Sequence, residues 1–271
     1  MINFKTGSIF SRKTGNELQN IEPEPANQIL AVWGSPSSGK TIVSAKLAWH
    51  LAGRHKNVAL LLCDMTAPPL PYICPPSDIG CLKSLGSILA AARMTDNLIK
   101  QNCMLHKKQS HITIIGMLKG ENAFTYPSYT AEQAVDMIEH LRNIVPYIII
   151  DCGSTIATDI LSAVALMESD AVLRLVNCDL KSISYLSSQF PLLMDKKWDT
   201  EKQYKVASNV KQYEALGNME QILNGVTFKI PHSEEVEQQS LAGDLFKDLG
   251  LKDSRGFRKE IDKISMEVFG I

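Results

Sequence analysis

The residues with the clearest chemical potential form a loop rich in glycine and serine near the start of the chain. The loop has the sequence GSPSSGKT, which matches the pattern GxxxxGK[ST], and it lies between the apolar run QILAVW and the helix-like run IVSAKLAWHLA. Its residues are Gly34, Ser35, Pro36, Ser37, Ser38, Gly39, Lys40 and Thr41. A loop of this pattern between a strand and a helix is typical of phosphate-binding sites in nucleotide-binding proteins.

Each residue type in this loop has a physical reason. Gly34 and Gly39 permit a tight turn whose N–H groups converge on phosphate oxygens, and the following helix directs its positive dipole end at the same anion. Lys40 adds a charge that can reach the β- and γ-phosphates, so it is a candidate catalytic residue as well as a binding residue. The hydroxyl of Thr41 is a hard oxygen ligand for Mg²⁺. The loop therefore predicts a nucleoside triphosphate and Mg²⁺ as cofactors.

Seven β-rich runs alternate with helical stretches and would position this loop. They span residues 28–33, 58–63, 111–116, 147–151, 171–176, 204–209 and 226–230. Strands separated by helices imply βαβ crossovers, and nearly continuous apolar strands imply burial on both faces. We predict an α/β fold, a doubly wound, mostly parallel seven-stranded sheet with helices on both faces, formed by residues 28–271 as one P-loop NTPase domain.

Two segments do not follow the alternation. Residues 1–27 end in EPEPAN, where two prolines disfavour both helix and central strand, so we predict a tail or clip. The stretch from Asp64 to about Asn102 is the least regular. Its segment APPLPYICPP is predicted not to form a helix, because each proline lacks a donor and restrains the residue before it. This stretch could be a rigid surface loop or a mobile, partner-binding one.

The amino-acid composition limits the classes of protein that this chain can belong to. The chain has 271 residues, 45% of them apolar, which is enough for one full core. Its 28 Lys and Arg nearly balance its 29 Asp and Glu, so no overall field would recruit nucleic acid or acidic lipid. The apolar runs are of strand length, and the first residues lack the apolar core of a secretory signal. We expect a cytoplasmic protein that is not integral to a membrane.

The motifs in this order resemble those of the ParA/MinD ATPases, P-loop proteins of the SIMIBI class with a deviant Walker A loop. The resemblance runs over most of residues 28–270. It implies that Asp64, in VALLLCDMTAPP, opens the first switch and positions the attacking water, and that Asp151, in VPYIIIDCGS, holds Mg²⁺ through water. From the residues alone, Asp64 could instead cap the turn after it, and Asp151 could cap a helix that starts near Thr155.

The resemblance also implies residues for the base. KVASNV is similar to the family strand whose asparagine contacts adenine, which suggests Asn209, and FKIPHSEEVEQQSLAGDLF is similar to the segment whose backbone lines the base, around Pro231. An amide offers a donor and an acceptor together, although a turn asparagine is also common after a strand. The guanine signature NKxD is absent, because Val, Lys and Gln follow Asn209. ATP is therefore favoured over GTP.

The loop departs from the family pattern at two positions. Ser35 stands where the family has its signature lysine, and Ile42 replaces the usual second threonine. In the family, that lysine reaches across a dimer to the phosphates of the partner subunit, so the departure puts a sandwich dimer and fast turnover in doubt. Lys119 could supply a substitute cation, although loop lysines are usually solvated.

The resemblance implies a slowly hydrolysing ATP-dependent switch that positions a cellular machine. Its expected partners are ATP or ADP, a second copy in a homodimer, and proteins of a pilus, secretion or partition system, with the CpaE/TadZ-like pilus and secretion subgroup favoured. Two alternatives stay open. One is a nucleotide-binding scaffold with little hydrolysis, and the other is an ATP-dependent small-molecule synthetase of the same superfamily.

Contacts with DNA or a membrane are possible but not favoured. DNA affinity comes mainly from neutralised phosphates, and the chain offers only the short basic pairs at 107–108 and 196–197. Near its end, Phe257, Ile261, Ile264 and Val268 share one helical face. This face suits either a membrane surface or a last helix that packs on the sheet. A peripheral position at the inner membrane through partners is the remaining expectation.

Overall fold

The computed structural model describes residues 28–211, 220–221 and 223–271, which form one eight-stranded sheet with helices on both faces. The strands are β1 (Ile29–Gly34), β2 (Val58–Leu62), β3 (Met104–Leu105), β4 (Ile112–Ile115), β5 (Tyr147–Asp151), β6 (Ala171–Asn177), β7 (Gln203–Val210) and β8 (Phe228–Pro231). The helices are α1 (Lys40–Gly53), α2 (Leu70–Ile73), α3 (Leu85–Leu89), α4 (Asp96–Asn102), α5 (Ala131–Ile144), α6 (Ile160–Glu168), α7 (Leu180–Leu193), α8 (Glu234–Leu241) and α9 (Arg255–Phe269). Residues 1–27 lie outside the described residues, so the predicted tail or clip stays a prediction.

The strand order confirms the predicted doubly wound fold. The order is β3-β4-β2-β5-β1-β6-β7-β8, with β1 near the centre, and every pairing is parallel except that of β3. All seven predicted strands form, but the predicted count is one too low. The additional strand, β3, is only two residues long and pairs antiparallel with β4 at the sheet edge. Two residues carry no periodic pattern, so only the tertiary partner defines this strand.

The hydrophobic core lies on both faces of the sheet. Every residue of β1, β2 and β5 is buried, as expected for parallel strands covered on both sides. Alternate residues of β1 point to opposite faces: Leu30 and Val32 pack in the cluster that includes α1 and α9. Ile29, Ala31 and Trp33 pack in the cluster that includes α5 and α6. Helix α1, which begins at the phosphate-loop lysine, is thereby held against the sheet.

The final helix, α9, packs on the sheet. Phe257, Ile261, Ile264 and Val268 are each at most 4% exposed and belong to the same core cluster as α1. This face is therefore covered by protein, as the sheet-packing alternative requires, and it offers no apolar surface to a membrane. No helix within the described ranges combines the length and the apolar character needed to cross a bilayer.

The segment between Asp64 and Asn102 contains three short helices, α2, α3 and α4. The prediction that APPLPYICPP forms no helix is therefore wrong at Leu70–Ile73. Pro71 lies in the first turn of α2, where a backbone N–H has no intrahelical partner and a proline costs little. Thr95 caps α4 by accepting a hydrogen bond from Leu98 N. These local signals, rather than periodicity, build the segment.

Candidate functional site

The loop GSPSSGKT joins the carboxyl end of β1 to α1, and its backbone needs both glycines. Gly34 lies so close to β6 that an added Cβ would meet the carbonyl oxygen of Leu175 at 1.9 Å. The next residue, Ser35, donates its N–H to that same oxygen at 3.1 Å. Gly39 has a φ of 80°, in the left-handed region, where it turns the chain into α1. The glycine spacing of the sequence therefore corresponds to two separate steric requirements.

The N-terminus of α1 is open for an anion. Gly39 occupies the N-cap position without a side-chain cap, and no acidic residue lies in the first turn. The first N–H groups of a helix lack intrahelical partners, so those of Lys40 and Thr41 face the loop unpaired by the helix. The hydroxyl of Ser38 is fully buried and has no hydrogen-bond partner among the described residues. Phosphate oxygens would satisfy these donors and match the helix dipole.

The side chain of Lys40 is held at the mouth of the loop. Its Nζ donates to the carbonyl of Ser35 at 3.2 Å and to Ser154 Oγ at 2.7 Å. Burial lowers the pKa of Lys40, and the carboxylates of Asp151 and Asp64 oppose that shift. A lysine so placed can exchange its two neutral partners for phosphate oxygens. Sequence reasoning missed Ser154, although it follows Asp151 closely at the end of β5.

Thr41 and Asp151, the two predicted Mg²⁺ ligands, contact each other in the structure. Thr41 Oγ1 donates to Asp151 Oδ2 at 2.6 Å, and Ser44 Oγ lies 3.5 Å from the other oxygen. Burial raises the pKa of Asp151 to about 7, while Thr41 and Lys40 act in the opposite direction. Among the described residues Asp151 caps no helix, and α6, the first helix after β5, is capped by Asp159. The alternative role considered for Asp151 is therefore wrong.

The donor set of this pair fits Mg²⁺. A hydroxyl and a carboxylate are hard oxygen ligands, and Mg²⁺ in phosphoryl-transfer sites takes one or two protein ligands together with phosphate oxygens and water. In the part of the chain that the structure describes, no cluster of three or more His, Cys, Asp or Glu could hold a metal.

Asp64 lies beside the phosphate loop, and its carboxylate also caps the following turn, which is the alternative role considered from the sequence. Its Oδ1 accepts hydrogen bonds from Thr66 N and Ala67 N, both at 2.9 Å, so it caps the turn that follows β2. No described residue hydrogen-bonds to its Oδ2. Asp64 also lines a cavity of about 440 Å³, which we call the Asp64 cavity, together with Ser154, the partner of Lys40. A carboxylate in this position could orient a molecule next to a γ-phosphate.

Other side chains in and around this cavity gave no signal in the sequence. Asp159 and Tyr129 line it, and burial raises the pKa of both groups. Tyr129 Oη accepts a hydrogen bond from Leu161 N at 3.2 Å. Near the loop, burial raises the pKa of Tyr72 of α2, and the neighbouring Thr41 hydroxyl opposes that shift. These residues come from segments far apart in the sequence, so only the fold brings them together.

Asn209 and Pro231 are brought together on the other side of the loop. Both line a cavity of about 270 Å³ that also contains Ser37 and Gly39, which we call the Asn209 cavity. Asn209 has a φ of 54°, and its Oδ1 lies 2.8 Å from His232 Nδ1. The phosphate loop therefore lies between two cavities, one lined by the predicted base residues and the other by Asp64. A further contact that sequence reasoning missed is Asn177 Nδ2 donating to the Ser37 carbonyl at 3.1 Å.

Comparison with solved structures identifies the fold. A ParA family ATPase from Chlorobium tepidum TLS matches with a TM-score of 0.72 and 16% sequence identity, covering 89% of this chain and 99% of that one. The protein has the fold of the ParA and MinD ATPases. The MinC:MinD cell division complex of Aquifex aeolicus gives a TM-score of 0.70 at 15% identity, with coverages of 88% and 95%. MinD from Pyrococcus horikoshii OT3, complexed with Mg-ADP, gives 0.66 at 14%, with coverages of 89% and 95%.

The structural likeness confirms the predicted ParA/MinD resemblance at the level of the fold. In sequence, no protein-family model matches the chain, and a search of curated proteins found no match. Membership of the pilus and secretion subgroup stays a prediction, as do the roles of the individual site residues.

Ser35 stands where the ParA/MinD pattern has its signature lysine. Ser35 is fully buried, and its Oγ donates to Ser182 Oγ at 2.9 Å. A lysine at this position would bury an ammonium group in the conformation seen here, which is costly without a charged partner. Lys119, the suggested substitute, is exposed in the loop after β4 and lines neither cavity. The substitute role for Lys119 gains no support from this arrangement.

Proposed function

We propose that this protein is an ATP-binding, slowly hydrolysing molecular switch that positions a cellular machine. One observation carries the proposal: the open end of α1, the ammonium group of Lys40 and the paired oxygens of Thr41 and Asp151 converge at the carboxyl edge of the parallel strands. Ligands of open α/β sheets bind at this edge. The Mg-ADP of the Pyrococcus horikoshii relative is in keeping with a magnesium nucleotide as the ligand.

The residues would divide the work as follows. Loop amides and Lys40 hold the triphosphate, while Thr41 and Asp151 hold Mg²⁺, which neutralises phosphate charge when bound. Asp64 orients the attacking water from the cavity that it shares with Ser154. Asn209 and the backbone at Pro231 receive adenine in the Asn209 cavity. Catalysis of this kind depends on positioning and on electrostatic stabilisation.

The switch would act through the segments that line the Asp64 cavity. Residues 64–66, 117–129 and 153–160 all contribute to its walls, and Ser154 contacts Lys40 directly. Loss of a γ-phosphate would change the partners of Lys40 and Asp64, and loop order can follow such a change. We propose that partner proteins and a second copy of the chain recognise this surface, in a pilus, secretion or partition system within the cytoplasm.

Two specific observations favour functions other than the proposed switch. Ser35 stands in place of the signature lysine that would complete a partner subunit's site, which favours a scaffold that binds ATP and hydrolyses little. The Asp64 cavity carries Asp159 and Tyr129 beside Asp64, which favours a synthetase that accepts a small molecule. Both alternatives retain the same phosphate loop.

The experiment that tests the switch is steady-state hydrolysis of γ-labelled ATP with Mg²⁺, followed by quantification of free phosphate and bound nucleotide. A switch gives slow phosphate release, abolished in Lys40→Ala. Bound ATP that persists unchanged supports the scaffold. Label that appears in a small organic acceptor, rather than in free phosphate, supports the synthetase. If wild-type and Lys40→Ala release phosphate at the same rate, this loop is not the catalytic site.

A further inference from the structure

A third cavity of the molecule lies between α1 and α9. We call it the α1–α9 groove; its volume is about 750 Å³, and Trp49, Gly53, Leu249 and Arg258 are among the residues that line it. The groove is lined by the second half of α1, from Lys46 to Gly53, whereas the phosphate loop leads into the first residues of that helix. Phe257 lines both this groove and the Asn209 cavity, but the proposed nucleotide-binding function assigns no role to any residue of the groove.

The walls of the groove carry an excess of positive charge. Its acidic residues already have partners: Asp262 pairs with Arg54 across the two helices, and Asp248 accepts a hydrogen bond from Trp49 Nε1 at 2.8 Å. The exposed side chains of Arg255, Arg258 and Lys259 have no ion-pair partner among the described residues. Three cations of α9 are therefore available to a ligand.

These cations occupy positions that the helix itself disfavours. Arg255, Arg258 and Lys259 follow the spacing i, i+3, i+4, so like charges share one face, which destabilises an isolated helix. They also lie in the first turns of α9, at the positive end of the dipole, and no acidic residue stands in the first turn to compensate. An anionic ligand would relieve both effects at once.

The floor of the groove is apolar. The indole of Trp49 stacks on Phe246 with ring centroids 6.0 Å apart, and Leu249 is partly buried beside it. The phosphate backbone of a nucleic acid would gain no favourable contact from an apolar floor. The net charge of −1 also gives no long-range attraction for such a polyanion. An acidic segment with interspersed apolar side chains matches both the cations and the floor. We propose that the α1–α9 groove binds an acidic, amphipathic peptide segment of a partner protein.

The test uses a fluorescein-labelled amphipathic peptide with glutamates along one helical face and leucines along the other. Fluorescence anisotropy with the full chain, in the absence of nucleotide, should show binding that weakens with added salt. Arg255→Glu/Arg258→Glu should weaken it by at least about tenfold, because like charges would then face each other. Acidic residues in the first turns of α9 also suit the helix dipole, so this variant should remain folded.

Two matched variants separate charge from shape. Lys83→Glu/Lys196→Glu changes two exposed lysines elsewhere by the same net charge and should leave the affinity for the peptide within about twofold. Gly53→Gln adds an uncharged side chain at a helical position where a Cβ meets no atom within 4 Å, and it should obstruct the groove and weaken binding.

Equal affinity for the peptide in wild-type and Arg255→Glu/Arg258→Glu would overturn the proposal. Binding of duplex DNA or phosphatidylglycerol vesicles through these same arginines, with no binding of the peptide, would overturn it as well. Nucleotide affinity, measured in parallel, should be unchanged in all three variants. A failure of nucleotide binding alone would count against the proposed function and not against the groove.

Discussion

Substitution of Gly34 by alanine is the perturbation whose cost follows most directly from the coordinates. The added Cβ would lie 1.9 Å from the carbonyl oxygen of Leu175 and 2.7 Å and 2.8 Å from the carbonyl carbon and amide nitrogen of the same residue. All three atoms belong to backbone, and Leu175 is paired with Gly34 of β1 on one side and Val206 of β7 on the other. The obstacle therefore cannot rotate away as a side chain would.

The magnitude follows from two contributions. Restoring an ordinary contact requires β1 and β6 to separate by more than about 1 Å, and overpacking of this kind costs roughly 1–3 kcal/mol. The φ of 155° at Gly34, which L side chains rarely adopt, adds roughly 1–3 kcal/mol of backbone strain. We expect Gly34→Ala to lower the free energy of unfolding by about 3–5 kcal/mol, near the upper end of single-substitution effects. Displacement of the Leu175 carbonyl would also break its hydrogen bond with Ser35 N and distort the phosphate loop.

Urea unfolding of Gly34→Ala and of the control Gly53→Ala measures this difference. In Gly53→Ala the new Cβ meets no atom within 4 Å at the last residue of α1, so we expect stability unchanged or raised by up to about 1 kcal/mol. An unfolding free energy of Gly34→Ala within about 1 kcal/mol of wild type, together with intact ATP binding, would refute the assignment of Gly34 to a sterically closed position.

Three further predictions concern single side chains. Lys46 is buried, and burial lowers its pKa from 10.5 to about 8. Between about pH 8 and pH 10.5 the unfolded chain therefore binds more protons than the folded chain. The contribution of Lys46 to the free energy of unfolding is complete above about pH 10.5, and it falls by up to about 3 kcal/mol as the pH drops through about 8. The difference in unfolding free energy between wild type and Lys46→Met should carry this dependence, and a difference that is flat with pH would contradict it. Asp64→Ala should retain ATP affinity while slowing hydrolysis by roughly 100-fold in single-turnover assays, whereas equal loss of both would exclude a role in positioning water. Ser35→Lys should lower the unfolding free energy by about 3 kcal/mol or more without raising turnover; a stable variant with faster hydrolysis would show that the loop accommodates the family lysine.

The sequence alone was sufficient to predict the elements whose composition and residue spacing determine their structure. The apolar runs that became β1, β2 and β5 are buried on both faces, and their composition alone separates such strands from alternating ones. The phosphate loop was equally accessible, because its glycines and its lysine must stand at fixed spacing. The sequence indicated Thr41 and Asp151 separately as Mg²⁺ ligands, and the parallel pairing of β1 with β5 brings the start of α1 next to the end of β5, where the two side chains meet.

The other elements and site residues could be identified only from the tertiary structure. The edge strand β3 is two residues long, and α2 begins among prolines that discouraged its prediction. Asp159 and Tyr129 reach the Asp64 cavity from distant segments, and neither belongs to a short motif. For α9, the helical spacing of apolar residues suited a membrane surface and a sheet equally well, and only the packing against α1 distinguished them. The spacing of apolar residues predicts which face of a helix is apolar, but it does not predict which surface covers that face.

The central claim is that the loop from Gly34 to Thr41 binds the triphosphate of ATP. The most direct measurement is isothermal titration of the full chain with ATP in the presence of Mg²⁺, for wild type and for Lys40→Ala. We predict saturable binding at one site per chain in wild type and loss of at least about 100-fold in affinity in Lys40→Ala, since the proposed role of that ammonium group is to contact the phosphates directly. Absence of binding in folded wild-type protein, or unchanged affinity in Lys40→Ala, would contradict the account.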